Sequence, residues 1–272
     1  MLEKGGNRMT QTDAILTLQN VSKTFYPGSI NEVKALQDIN LTVNKGDFIT
    51  LVGGNGAGKS TLLNAISGYF FPDSGQITIN DQTITYLKEE KRAPFISRVF
   101  QDPKMGTAPR MTVKENLALA YRRGERRRLK IGISQEEKQL YHEQLQSLGL
   151  GLERRMDAEI GLLSGGQRQS IALLMATLKR PDILLLDEHT AALDPKTAKL
   201  VLELTDKKVK EMGLTSIMIT HNLQDALTYG NRMLVLHHGQ IVKDYSQAEK
   251  EQLTTEAVFA ELQSLAMNDV LV

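Results

Sequence analysis

The run Gly53-Gly54-Asn55-Gly56-Ala57-Gly58-Lys59-Ser60-Thr61 has the spacing G-x-x-x-x-G-K-[ST]. Small residues in succession let backbone N–H groups converge on phosphate oxygens. A helix opening at the end of such a run adds its unpaired donors and the positive end of its dipole. In that arrangement Lys59 reaches the β and γ phosphates of a nucleotide, the Ser60 hydroxyl ligates Mg2+, and Thr61 touches the α-phosphate. The run follows Phe48-Ile49-Thr50-Leu51-Val52, which reads as a buried strand, and leads into a helical stretch from about Lys59 to Ser67 with Gly68 as its stop. A chance glycine-rich turn seldom comes with both flanks.

Two further clusters could act on the same chemistry. The apolar run Ile183–Leu186 ends in Asp187-Glu188. In open α/β sheets, ligands sit beyond the carboxyl ends of strands. Asp187 is therefore expected to hold Mg2+ or its water, and Glu188 to polarise an attacking water; such catalysis is mostly positioning and charge stabilisation. A strand that merely ends in solvated acids carries the same letters, and only the phosphate loop in the same chain tilts the balance. The other cluster, Leu163-Ser164-Gly165-Gly166-Gln167-Arg168-Gln169, precedes a helical stretch, Ser170–Leu178. Ser and two glycines at a helix start make a second anion-binding terminus. One chain seldom needs two such sites for one nucleotide, so this one is expected to serve the γ-phosphate held by a partner molecule.

The elements that must position these residues are legible in outline. Alternation over Ile15–Leu18, Ile39–Val43 and Ile77–Ile79 predicts a β-rich N-terminal part, with turns at Pro27-Gly28 and Asn80-Asp81. Ser134 with Glu137 fits a capping box, followed by Leu140, Tyr141, Leu145 and Leu148 at helical spacing and Gly149 as a stop. Asp194-Pro195 caps a helix whose apolar face runs from Ala198 to Met212, and Gly213 ends it. Strands follow at Ser216–Ile219, Met233–Leu236 and Gln240–Val242, the last two flanking a His238-Gly239 turn, with a helix from about Asn222 between. Short strands alternating with helices predict a mostly parallel sheet covered on both faces.

Composition narrows the classes. The 272 residues include no Cys, which excludes a disulfide scaffold, a thiolate metal site and a cysteine nucleophile. The longest apolar runs, Ile171–Leu178 and Ile183–Leu186, fall far short of the roughly 18 residues a bilayer span needs. Lys and Arg total 33 against 32 Asp and Glu, and this near-neutrality argues against a nucleic-acid partner. The first residues have no secretory pattern, and Met9 is a possible natural start.

In order and content these motifs resemble the ATP-binding subunit of ATP-binding cassette (ABC) transporters, from about Ile15 to Val242. Leu163–Gln167 matches that family's signature, about 20 residues before the acidic pair. The resemblance implies ATP and Mg2+ as cofactors. Phe25, in VSKTFYPG, resembles the aromatic that stacks on adenine, with Tyr26 as the alternate. Gln101, in VFQDP, resembles the glutamine that senses the metal and the attacking water and faces the permease. Ala192-Leu193-Asp194 resembles the loop linking the two sites of a dimer, and His221, in MITHN, the histidine on the γ-phosphate. The nucleotide would then contact Phe25, Gly53, Asn55, Gly56, Ala57, Gly58, Lys59, Ser60 and Thr61 of one copy, and Ser164, Gly165, Gly166, Gln167 and Asp194 of the other. Catalysis falls to Glu188, His221, Gln101 and Lys59, and metal binding to Ser60, Gln101 and Asp187. The implied fold is α/β, a P-loop NTPase of ABC type. It combines a mostly parallel core sheet, an N-terminal antiparallel β-subdomain and an inserted helical subdomain at about 105–180. The expected organisation is one ATPase domain over 13–246, an N-terminal extension over 1–12 and a short helical tail over 247–272.

The implied partners are a second copy bound head to tail, integral membrane permease subunits and a substrate-binding lipoprotein, at the cytoplasmic face of the cell membrane. The block from Arg168 to Ala198 resembles cassettes paired with branched-chain-type permeases, which import amino acids or similar solutes, aromatic ones such as tryptophan among them. An exporter subunit is the alternative. A non-transport ATPase of the class fits less well, as it carries a coiled coil, zinc cysteines or tandem cassettes, and a module without catalysis does not fit intact Lys59, Glu188 and His221. Three departures stand out. His189 replaces the family's proline, either as a pH-sensitive neighbour of Glu188 or as a tolerated exposed variant. Ser170 and Met175 replace two arginines of the signature helix. Arg122, Arg123, Arg126, Arg127, Arg128 and Lys130 crowd nine positions, either as a solvated loop or as a surface for anionic lipid or acidic permease loops.

Overall fold

A computed structural model describes residues 13–125 and 132–268. Met9 and the basic residues Arg126, Arg127, Arg128 and Lys130 lie outside the described residues. In chain order the elements are β1 (Ala14–Phe25), β2 (Val33–Asn44), β3 (Phe48–Val52), α1 (Lys59–Ser67), β4 (Ser74–Ile79), β5 (Gln82–Thr83), α2 (Glu89–Arg92), β6 (Ile96–Val99), α3 (Val113–Tyr121), α4 (Gln135–Gln146), α5 (Gly165–Leu178), β7 (Ile183–Asp187), α6 (Pro195–Met212), β8 (Thr215–Ile219), α7 (Leu223–Thr228), β9 (Arg232–His237), β10 (Gln240–Tyr245), α8 (Gln247–Lys250) and α9 (Thr255–Asn268).

Two sheets organise the chain. The antiparallel sheet has the order β2-β1-β4-β5, and the larger sheet the order β10-β9-β3-β8-β7-β6. In the larger sheet β9, β3, β8, β7 and β6 run parallel, and only β10 returns antiparallel. Strand β3 sits inside this sheet, all five of its residues are buried, and its sequence is accordingly apolar except for Thr50, whose hydroxyl donates to the Ala226 carbonyl at 2.9 Å. Parallelism brings the carboxyl ends of β3, β7, β8 and β6 to one edge. That edge carries the phosphate loop, Asp187-Glu188, His221 and Gln101.

The strands β1 and β2 are far longer than their alternating cores. Each spans 12 residues, and their pairing contains four register shifts. Such bulges interrupt the period-2 pattern, which is why only fragments of these strands show in the sequence.

Helix α1 is anchored at its carboxyl end by Arg92, which is fully buried. Its guanidinium donates to the carbonyls of Ala65 and Ile66, in the last turn of α1, and to those of Leu87 and Thr85, at 2.7–2.8 Å. Last-turn carbonyls have no partner within their own helix, and a cation there also suits the dipole. Arg92→Met leaves these carbonyls unsatisfied. At about 1–3 kcal/mol for each of the four buried groups left without a bond, the expected loss is at least ~4 kcal/mol, read as a shifted urea midpoint.

The helical part is joined to the core through α5. Leu117, Tyr141, Leu145, Leu148, Leu152 and Ile160 share one apolar cluster with Leu173 and Leu174 of α5 and Leu184 and Leu186 of β7. Capping boxes start both α3, at Thr112 and Glu115, and α4, at Ser134 and Glu137. The two described arginines of the basic stretch are engaged within the chain. Arg122 pairs with Glu137 at 2.8 Å. Arg123 donates to the carbonyls of Lys179 and Ala176 at 2.6 and 3.1 Å and to the Ser97 hydroxyl. For these two, neither a solvated loop nor a lipid-facing surface describes what they touch. At the carboxyl end, Val258, Leu253, Leu262 and Leu265 pack with Leu223, Ala226 and Leu227 of α7.

Candidate active site

The loop between β3 and α1 closes one wall of a cleft of about 490 Å3. Phe25, Asn55, Gly56, Ala57, Gly58, Lys59, Ser60, Thr61, Glu188 and His221 all line it. Tyr26 lines it too and is 71% exposed, whereas Phe25 is held edge-on against Phe70 with ring centroids 5.4 Å apart. Lys59 is buried, and its Nζ donates to the carbonyls of Gly53 and Gly54 at 2.8 and 2.9 Å. Burial pushes this amine below its ordinary pKa, while the charges of Glu188 and Asp187 pull the other way. The acidic pair is thus close enough to act on the phosphate-loop lysine.

Glu188 adopts a left-handed backbone, with φ of +46°. A non-glycine residue held there stores about 1–3 kcal/mol of strain, and such positions gather at active sites. The bend follows β7 directly, and the Glu188 N–H donates to the Ile219 carbonyl of β8 at 3.2 Å. Its side chain is 14% exposed, and its Oε1 lies 2.6 Å from Nε2 of His221. Asp187 instead forms an ion pair through Oδ2 with Nη2 of Arg98. Nη1 of that arginine donates to Asn64 of α1 at 2.6 Å. Neither Arg98 nor Asn64 carries a motif, so spacing in the sequence does not mark them.

The signature residues and Asp194 do not line this cleft; they stand at the starts of α5 and α6, which approach each other at Gly166 and Thr197. Helix α5 begins at Gly165, five residues ahead of the expected Ser170, because Ser164 and Gln167 form a reciprocal capping box. The Ser164 hydroxyl accepts from the Gln167 N–H at 3.3 Å, which leaves its own proton to donate. Asp194 caps α6 by accepting from the Thr197 N–H at 3.1 Å, and hydrogen bonding from the Thr197 side chain, then from its N–H, holds the carboxyl below the usual range. A Cβ on Gly166 would lie 2.0 Å from Cγ2 of Thr197, so only glycine lets α5 and α6 approach this closely. Ser170, in place of an arginine, is buried and donates to the Gly166 carbonyl at 2.9 Å. Gln101 is exposed on the loop after β6 and does not line the cleft.

His189 departs from both expectations. It is 1% exposed, so it is not a surface variant. Its Nε2 lies 3.0 Å from Oγ1 of Thr205, whose own proton goes to the Val201 carbonyl at 2.8 Å. The ring therefore donates through Nε2–H and is neutral, and burial pushes its pKa down to about 4. It does not titrate near neutral pH. Because the unfolded chain takes this proton at about 6.5 and the folded chain only at about 4, the contribution to stability is complete above 6.5 and falls with pH through that window. Between pH 7 and pH 5 the wild type is expected to lose ~2 kcal/mol from this group, a loss absent in His189→Gln, measured by denaturant unfolding at both pH values. The pH–rate profile of His189→Pro is expected to match the wild type between about pH 6 and 8.

Residues 36–191 match the family described as ABC transporter. The chain belongs to this ABC transporter family. Among its relatives, the tyrosine transport ATP-binding protein of Clostridioides difficile is 48% identical over 245 residues, covering 90% of this chain and 97% of that one. The methionine import ATP-binding protein of Streptococcus agalactiae is 35% identical, and the match spans 86% of this chain and 65% of that longer protein. Solved cassettes share the fold. A dimeric cassette in a post-hydrolysis state with ADP and phosphate superposes with a TM-score of 0.73 at 30% identity, covering 86% of this chain and 99% of that one. An ABC cassette in its ADP conformation gives 0.75 at 29% identity, covering 92% and 98%. The chain is thus an ABC-type ATPase cassette, with its antiparallel N-terminal sheet set on a mostly parallel core.

Proposed function

We propose that this ABC cassette is the motor subunit of an importer for aromatic amino acids of the tyrosine and tryptophan class, working as a head-to-tail dimer. The observation that carries the dimer is the separation of two anion-binding helix starts within one chain. Lys59 and its loop line the cleft, whereas Ser164–Gln167 lie outside it, at the start of α5 against Leu193 and Thr197. Each nucleotide is then enclosed by the loop of one copy and the signature of the other. Similarity to the tyrosine transport ATP-binding protein supports the solute class.

In this reading Phe25 stacks on adenine, and the loop amides from Asn55 to Thr61 hold the phosphates. Lys59 leaves the carbonyls of Gly53 and Gly54 to meet the β and γ oxygens. The hydroxyl of Ser60, the carboxylate of Asp187 and the amide oxygen of Gln101 are hard oxygen donors, the set that suits Mg2+. When bound, that ion would supply neutralisation of the phosphate charge. Glu188, aimed by its left-handed bend, accepts the proton of the attacking water, and His221 contacts the γ-phosphate from the other side of the 2.6 Å pair. Hydrolysis releases the partner's Ser164 and Gly166, and the dimer opens; the closed state is a population shift driven by ATP.

No helix among the described residues is long and apolar enough to cross a membrane. Similarity to transport ATP-binding subunits supports assigning the solute path to separate permease subunits, with the cassette peripheral at the cytoplasmic face and a substrate-binding lipoprotein delivering solute. A groove of about 510 Å3 beside Gln101, lined by Phe100, Met105, Leu119 and Met175, is the surface assigned to the permease. The test is uptake into proteoliposomes that hold the cassette with its co-purifying membrane subunits and binding protein. ATP on the cassette side should drive tyrosine or tryptophan towards that side. Movement away from it would make the protein an exporter subunit, and indifference to both amino acids would remove the solute class.

A further inference from the structure

We propose that Arg98 is a positioning residue for the metal that accompanies ATP, tying together the three segments that carry Ser60, Asp187 and Gln101. The inference rests on the assignment of those three residues as metal ligands. Arg98 lies on β6, in register with Leu185 of β7. Its Nη2 pairs with Oδ2 of Asp187, and its Nη1 donates to Oδ1 of Asn64 at 2.6 Å. Asn64 stands four residues after Ser60 on α1, one turn along the same helix face. The guanidinium carbon lies 4.8 Å from the centroid of Phe100, the neighbour of Gln101.

These contacts lie inside the protein, since the Arg98 and Asp187 side chains are only 11% and 13% exposed. The Nε of Arg98 is buried without a hydrogen bond, so the head group is oriented by its two Nη partners and the ring. A planar fork can hold two oxygens at fixed directions, which the point charge of a lysine cannot. Arg98 engages Oδ2 of Asp187, which restrains the rotation of the carboxylate, so that Oδ1 would be the oxygen offered to the metal. Outer partners of this kind orient ligands and tune metal affinity. The same side chain couples the start of the Gln101 loop to the metal carboxylate, so a shift of that loop changes Asp187 directly.

The test measures binding of a fluorescent ATP analogue, in a Glu188→Gln background that stops turnover, in EDTA and across a Mg2+ titration. Arg98→Lys and Asn64→Ala are compared with the parent, and thermal unfolding of the nucleotide-free chains is followed in parallel. The expected result is unchanged affinity in EDTA for all three, because the phosphate loop and Lys59 remain. The Mg2+ midpoint should rise about tenfold in Arg98→Lys and by a smaller factor in Asn64→Ala. A midpoint that stays or falls in Arg98→Lys overturns the proposal, a fall meaning that Arg98 competes with the metal. Weakened binding in EDTA, or unfolding at the assay temperature, overturns it by assigning Arg98 to the fold. A parent whose binding gains nothing from Mg2+ removes the metal-ligand reading itself, and the inference with it.

Discussion

Glu188→Gln is expected to bind ATP, accumulate as a dimer and release phosphate about 10²–10⁴ times more slowly than the wild type. The magnitude is that of removing a positioned general base. The substitution is nearly isosteric, so it leaves the surroundings in place: an amide oxygen can still accept from Nε2 of His221, as Oε1 does now at 2.6 Å. What it cannot do is take the proton of the attacking water. Binding should survive because the phosphates are held by the loop and Lys59, not by Glu188. Phosphate release and light scattering, measured on one preparation with ATP, separate the two effects. Full turnover in the variant would take Glu188 out of its role, and loss of ATP binding would mean that the carboxylate holds the loop instead.

Gly58→Ala should have the opposite signature, with loss of nucleotide binding itself. Gly58 has φ of +101°, and a Cβ there would lie 2.4 Å from the Ala35 carbonyl of β2. The loop cannot move aside. The Gly239 N–H donates to the Ala57 carbonyl at 2.9 Å, and the Gly239 carbonyl accepts from the Gln37 N–H at 2.8 Å, which clamps the loop between β2 and the β9–β10 turn. Backbone strain of this kind costs about 1–3 kcal/mol. Strain of that size, taken out of ATP binding, weakens it by about 10–100-fold. Gly54→Ala is the control for stability, since nothing lies within 4 Å of its Cβ. It should unfold within ~0.5 kcal/mol of the wild type, while Gly58→Ala unfolds ~2 kcal/mol earlier.

Much of this site could be read from the sequence because its parts are local. A glycine run between a buried strand and a helix specifies its own geometry, and the structure has α1 at Lys59–Ser67 with Gly68 left-handed at its end. The hairpin at His238-Gly239 and the cap at Asp194 are equally local. What could not be read depends on partners distant in the chain. His189 is neutral because it is buried, and its Nε2 is satisfied by the Thr205 hydroxyl, 16 residues later. Arg98 meets Asp187 across 89 residues, and Arg123 meets Lys179 across 56. Neither run of letters indicates which arginine points inward. The strand order of the larger sheet, with β3 between β9 and β8, is likewise set by crossovers and not by any motif.

In the proposed dimer each ATP is shared between the loop of one copy and the signature of the other. The absence of Cys from the sequence makes this directly measurable by disulfide cross-linking. Asn55 and Gly165 are both exposed, one on the loop ahead of α1 and one at the start of α5. With Asn55→Cys and Gly165→Cys together in the Glu188→Gln chain, ATP should drive nearly all protein into dimers linked between residue 55 of one copy and residue 165 of the other, mapped by peptide mass. Each single-cysteine chain should remain uncross-linked. Dimers linked 55 to 55, or cross-linking that does not depend on ATP, would contradict the shared site.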